Sequence, residues 1–161
     1  MKQNAYLITG SNLGNREQNL KDALTAIEKK CGHLIATSAL FETAAWGKTD
    51  QPSFLNQAIH LQTELHAENL LSELLSIEKD LGRIRSEKYG PRTIDIDIAI
   101  IDQLIIKSEN LTIPHPELHN RRFVLTPLVS IAANLIHPVL NKSMAELLKI
   151  CTDTLPVTRF D

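Results

Sequence analysis

The chain predicts an α+β fold, a ferredoxin-like sandwich in which helices pack on a mostly antiparallel sheet. Three observations lead there. Apolar runs and helical periods follow one another as strand, helix, strand, strand, helix, strand, the order of a split βαβ unit. The first two helical periods each end at a glycine, Gly32 and Gly82, which punctuates the pattern sharply. The length of 161 residues, 43% of them hydrophobic, suits a single compact domain over 1–161 that buries a real core.

The elements read as follows. Residues 5–9 form a short apolar strand that stops at the turn cluster Gly10-Ser11-Asn12. Asn15 caps a helix, with Gln18 three residues on in the capping-box position. Leu20, Ala23, Leu24, Ile27 and Cys31 then recur at helical spacing. Residues 33–42 read as a second strand, 43–53 as a loop around Gly47 and Pro52, and 54–65 as a third strand. In that strand Leu55, Ile59, Leu61 and Leu65 share one face, and Asn56, Ala58 and His60 the other. The clearest helix covers 67–81. A basic loop with Gly90-Pro91 follows, and 93–101 (TIDIDIAII) is a strong strand. Residues 104–106 read as its hairpin return. The Pro114-His115-Pro116 cluster breaks the chain, and helical patches cover 117–134 and 143–151.

Composition narrows the function. A net charge of -2 argues against a general nucleic-acid binder. Two distant cysteines, Cys31 and Cys151, make no disulfide framework and fit a reducing cytoplasm. No apolar run reaches the ~18 residues of a membrane span, and the N-terminus shows no signal-peptide pattern.

The sharpest chemical feature is Asp95-Ile96-Asp97. Side chains alternate along a strand, so the two aspartates point the same way, ~6.5–7 Å apart at Cα, and Ile94, Ile96, Ile98 and Ile100 take the other face. Such a pair can converge on one magnesium or bridge two. Alone, a bare Asp-x-Asp more often marks an ordinary amphipathic strand with a wet acidic face. Arg83, Arg85, Lys88 and Arg92 lie in the preceding loop. Guanidinium groups grip phosphate oxygens in pairs, so this neighbourhood suits a magnesium–polyphosphate ligand. Glu78 sits in the middle of the apolar stripe of its helix, where a carboxylate faces either a polar site or a route out to solvent. Phe54 and Asn56 share a strand face and, with Trp46 and Phe123, could hold a flat heterocycle. Local packing explains each ring taken singly. His115 and His119 are four apart but lack a third ligand at zinc spacing. Gly10-Ser-Asn-Leu-Gly14 lacks the Lys-Ser/Thr of a phosphate-binding Walker loop.

Together the runs ITGSNLGN, FETAAWGKTDQPSFLNQA, IEKDLGRIR, YGPRTIDIDI, LTIPHPELHNRRFVLTPL and IAANLIHP resemble the hydroxymethyl-dihydropterin pyrophosphokinase family, in order and over nearly the whole chain. The resemblance implies transfer of pyrophosphate from ATP to the hydroxymethyl group of 6-hydroxymethyl-7,8-dihydropterin, with AMP released, in folate biosynthesis. It implies two magnesium ions on Asp95 and Asp97. It places Glu78, Arg83, Arg85, Arg92, Ile98, Thr112, His115 and Arg121 on the ATP side, and Thr43, Trp46, Phe54, Asn56 and Phe123 on the pterin side. Arg83, Arg92 and Asp97 would act in catalysis. Leu75, Tyr89, Asn110, Ala45 and Pro116 depart from the residues usual at those places. The expected enzyme is a cytoplasmic monomer that acts on small molecules, with neither nucleic acid nor membrane as a partner. The loops 43–53 and 83–92 are expected to close on the substrates.

Overall fold

The computed structural model describes residues 1–44, 51–82 and 93–160. Its strands and helices run β1 Gln3–Ser11, α1 Arg16–Lys30, β2 His33–Thr37, β3 Phe41–Thr43, β4 Phe54–Thr63, α2 Ala67–Asp80, β5 Asp95–Ile101, β6 Ile106–Lys107, β7 Thr112–Ile113, α3 Arg122–Ala132, α4 Met144–Ile150 and β8 Val157–Arg159. The main sheet has the order β5-β1-β4-β3-β8, with β2 also on β4, and its pairings are antiparallel. This is the ferredoxin-like order, because β1 lies inside the sheet between β4 and β5, the later strands of the unit.

The central strands β1 and β4 are apolar on both sides. On one face Leu7, Leu55, Ile59 and Leu61 pack with Leu20 and Ile27 of α1 and Leu70, Leu74 and Ile77 of α2. On the other, Tyr6, Ile8 and Ala58 pack with Val124, Leu125 and Leu128 of α3 and Met144 and Leu147 of α4. Helices therefore cover both faces. Each fully buried Leu or Ile contributes about 1.5–3 kcal/mol by leaving water. Asn15 caps α1 by accepting the Gln18 N–H at 3.1 Å. The Gln18 side chain turns to Asp22 (2.9 Å) instead of completing a box.

Three expectations change. The strand read over 33–42 is two strands, because Ser38 interrupts it. The Ser38 N–H donates to Ala58 O (2.9 Å) and its hydroxyl accepts the Ala58 N–H (2.9 Å), so one residue takes over both bonds of its partner. The return strand read over 104–106 does not pair with β5. Leu104 N–H closes a turn on Ile101 O (2.9 Å), with Asp102 at φ 43, and β6 pairs with β7 in a separate two-stranded sheet. The free edge of β5 is already used, since His115 N–H donates to Ala99 O at 2.9 Å. Finally, Ile100 does not share a face with Ile94, Ile96 and Ile98. Tyr6 pairs with Ile100 and Leu7 with Ile98, so Ala99 is extra. That bulge turns Ile100 into the α3/α4 core.

Candidate active site

The site is built on a row across the sheet. Phe41 of β3 pairs with Asn56 of β4, Asn56 with Gly10 of β1, and Gly10 with Asp95 of β5. Directly paired residues share a face, so Asn56 and Asp95 both rise from the same surface with Gly10 between them. One step along, Thr43 pairs with Phe54, and Ile8 pairs with Asp97. Gly10 keeps the floor open. A Cβ there would lie 2.7 Å from Asn56 Nδ2. The sequence marked Gly10 only as part of a turn, and alternation gives no signal for a residue without a side chain.

Above this floor lies a groove of about 1340 Å³. At one end it is lined by Thr43, Phe54, Asn56 and Phe123. Asp95, Asp97, His115 and Arg121 lie beside them, and Glu78 lines the wall beyond. The far side adds residues the sequence reading left out, among them Glu68, Leu71, Ser72 and Lys79 of α2 and Ser108, Glu109 and Leu111 of the β6–β7 turn. Leu75 and Asn110, two of the departures, line it as well. The structure does not bring every expected residue here. Ile98 is 6% exposed and its side chain belongs to the α1/α2 core. Thr112 pairs with Lys107 next to the lining residue Leu111. Trp46, Arg83, Arg85 and Arg92 lie outside the described residues, as do Lys88, Tyr89 and Ala45 and most of both expected closing loops.

Glu78 is 3% exposed, and its Oε2 accepts the Ile96 N–H at 2.7 Å. The carboxylate in the apolar stripe thus grips the free edge of β5 between the two aspartates, rather than reaching out to solvent. A charged acceptor makes this bond stronger than a neutral one. Asn56 is 4% exposed. Its Nδ2 donates to Thr9 O (3.3 Å), while its Oδ1 has no partner among the described residues. A buried acceptor left so is a place for a ligand N–H. Thr43 donates its hydroxyl to Pro156 O (3.1 Å).

His115 is oriented by its Nδ1, which accepts the Glu117 N–H at 3.1 Å. The neutral ring therefore carries its proton on Nε2. Burial, and then the Arg121 guanidinium, push its pKa below the ordinary histidine value, against the smaller pull of Asp95 and Glu117. His119 packs edge-on against His137 at 6.3 Å. The entry to β4 is clamped from the first loop: Asn12 Nδ2 donates to Gln51 Oε1 (2.8 Å) and Pro52 O (3.0 Å), and Arg16 to Glu42 (2.6 Å) and Ser53 O (3.0 Å). Among the described residues no cluster of three or more His, Cys, Asp or Glu gathers as a metal cage. The Asp95/Asp97 pair offers two hard oxygen donors, which suits magnesium, since that ion keeps waters and substrate phosphates in its shell.

Comparison with known proteins agrees with this geometry. The family model described as 7,8-dihydro-6-hydroxymethylpterin-pyrophosphokinase (HPPK) matches residues 6–133. The chain is 42% identical over 135 residues to the 2-amino-4-hydroxy-6-hydroxymethyldihydropteridine pyrophosphokinase of Haemophilus influenzae, covering 83% of this chain and 84% of that one. It is 46% identical over 140 residues to the folic acid synthesis protein fol1 of Pneumocystis carinii, covering 87% of this chain but only 19% of that longer protein. Among solved structures, a Plasmodium falciparum HPPK-DHPS superposes with a TM-score of 0.77 at 17% identity, over 92% of this chain and 43% of that one, a likeness of fold. The chain belongs to the 7,8-dihydro-6-hydroxymethylpterin-pyrophosphokinase family.

Proposed function

We propose that this chain carries out the reaction of its family, pyrophosphoryl transfer to the hydroxymethyl group of hydroxymethyldihydropterin in folate biosynthesis, with ATP as donor and AMP as the second product. The observation that carries the reading is the cross-strand row. It sets a slot for a flat ring, with the orphaned Asn56 Oδ1 at its base, two strands from the Asp95/Asp97 pair.

In this reading Phe54 and Phe123 hold the pterin ring, and Thr43, Asn56 and Trp46 fix its orientation. Aromatic faces supply area, and a buried amide supplies direction. Asp95 and Asp97 would hold magnesium, two ions in the full complement. When bound, the metal neutralises phosphate charge and lowers the cost of deprotonating the attacking hydroxyl. His115 presents Nε2–H to an anionic oxygen without adding its own charge. Arg121 adds a cation from the same wall. Arg83, Arg85 and Arg92 complete the phosphate contacts, with Arg83 and Arg92 opposing charge that develops toward AMP. Glu78 serves the nucleotide side through β5, and Ile98 and Thr112 are assigned to that side as well. Positioning supplies most of the acceleration in such transfers, because the protein forms no bond to the moving group. The chain is assigned to the cytoplasm as a monomer acting on small molecules, with neither nucleic acid nor membrane as a partner. Its charge of -2 argues against a nucleic-acid partner, and its two distant cysteines fit a reducing compartment.

The test is a product assay with ATP, magnesium and the hydroxymethyl-dihydropterin. AMP formed only with both pterin and magnesium, alongside a pterin carrying two phosphates, supports the proposal. ADP as product, or AMP formed without pterin, overturns it.

A further inference from the structure

The C-terminal segment from Cys151 to Phe160 is short and carries no residue of the reaction, yet it touches the ring slot at both walls. One wall is the first turn of α3, where Arg121 and Phe123 face the groove on either side of Arg122. That turn has no cap of its own, since Arg121 stands at the N-cap position and makes no side-chain cap bond. Asp153 supplies one from 31 residues away: its Oδ2 accepts the Arg122 N–H at 3.0 Å. The grip is mutual. Arg122 Nε donates to Asp153 O (2.9 Å) and Nη2 to Cys151 O (3.0 Å), while Asp153 Oδ1 accepts the Leu155 N–H (3.0 Å) and folds the segment. A carboxylate at a helix N-terminus also meets the positive end of the helix dipole.

The other wall is β3. Pro156 O accepts the Thr43 hydroxyl at 3.1 Å, and Val157 then pairs with Thr43 itself. One strap thus ties the helix turn that presents Phe123 to the strand residue opposite Phe54.

We infer that this strap sets the width of the ring slot, with Asp153 as its positioning residue. The inference rests on the pterin-binding reading above. Loosening the strap changes how well the slot closes on a flat ring. On the nucleotide side Arg121 shares the strapped turn, while α2 packs in the core on the other face of the sheet, so nucleotide binding changes less than pterin binding.

The test is calorimetry of the full chain with hydroxymethyl-dihydropterin and, separately, with magnesium and a non-hydrolysable ATP analogue. The proteins are wild type, Asp153→Ala and the isosteric Asp153→Asn. Loss of a cap acting on the slot predicts pterin binding weaker by about five- to tenfold in Asp153→Ala. Nucleotide binding should stay within about twofold. Asp153→Asn keeps an acceptor and should restore most of the pterin affinity. Equal pterin affinity in all three, or pterin and nucleotide affinity falling together, overturns the inference and leaves the function standing. If Asp153→Ala does not fold, Asp153→Asn decides alone: it should lose about twofold in pterin affinity, and a loss shared by nucleotide overturns the inference. A wild-type chain that binds nucleotide but no pterin overturns the functional reading and the inference with it.

Discussion

Replacing Glu78 tests how the metal-side carboxylates are held. Its Oε2 lies 2.7 Å from the Ile96 nitrogen, and the side chain is buried to within 3% of complete. Glu78→Gln keeps an acceptor in place but makes it neutral. The bond then falls from the charged class to the ordinary one, a loss of about 1 kcal/mol. Glu78→Ala removes the acceptor, and the buried N–H left without it costs about 1–3 kcal/mol. Ile96 lies between Asp95 and Asp97, so release of this edge lets the two carboxylates splay, and the effect should exceed simple destabilisation. The assay is urea denaturation at neutral pH, with turnover measured across a magnesium titration. The expected order of midpoints is wild type, Gln, Ala, and the alanine variant should need about tenfold more magnesium for half-maximal rate. An alanine variant with a wild-type midpoint and wild-type magnesium dependence would refute the reasoning, because the bond would then hold nothing in place.

Three further outcomes are expected. Asp97→Ala should lower turnover at least about 10²–10³-fold with an unchanged circular dichroism spectrum; a near-normal rate in a folded variant would remove the metal assignment. Gly10→Ala places a methyl 2.7 Å from Asn56 Nδ2 and should raise the pterin KM about tenfold while the ATP KM holds, as steady-state kinetics will show. Burial, and then His119, push the His137 pKa below its ordinary value, and its Nδ1 accepts the Val139 and Leu140 N–H groups. The stability from that neutral ring is complete above about pH 6.5 and lost as pH falls toward the folded-state value. The urea midpoint should therefore drop between about pH 7 and pH 5 in wild type, and less in His137→Gln.

The framework was legible where a residue's chemistry and the local period agree. Asp95 and Asp97 alternate with isoleucines, and the structure puts them on one face in one groove. Glu78 was legible as a contradiction, a carboxylate among leucines, although its partner could not be read because a backbone amide has no sequence. What stayed hidden depends on register. The bulge at Ala99 turns Ile100 over, and TIDIDIAII carries no mark of it, since isoleucine suits either core. Ser38 reads as an ordinary strand residue, yet its hydroxyl replaces a ladder bond. β8 is three residues long and mostly exposed, so it has no period to detect.

The position of β5 at the edge of the sheet suits the proposed meeting of two different ligands at one pair of carboxylates. A central strand offers only its faces, because both of its edges are taken by neighbours. An edge strand offers a face and a free edge. Here the face of β5 continues through Gly10 to Asn56, the proposed pterin side. Its free edge runs along α2 and the segment before α3, the proposed nucleotide side. Glu78 takes the Ile96 N–H on that edge, and the Ala99 carbonyl accepts the His115 N–H. The groups that orient the site thus also occupy an edge that would otherwise invite another strand. A one-residue deletion within Thr93–Ile94 leaves the strand its length but allows β5 to slip, and a slip of one exchanges the aspartates for isoleucines on the groove face. Such a variant should lose activity and gain a tendency to aggregate together, since the same bonds govern both.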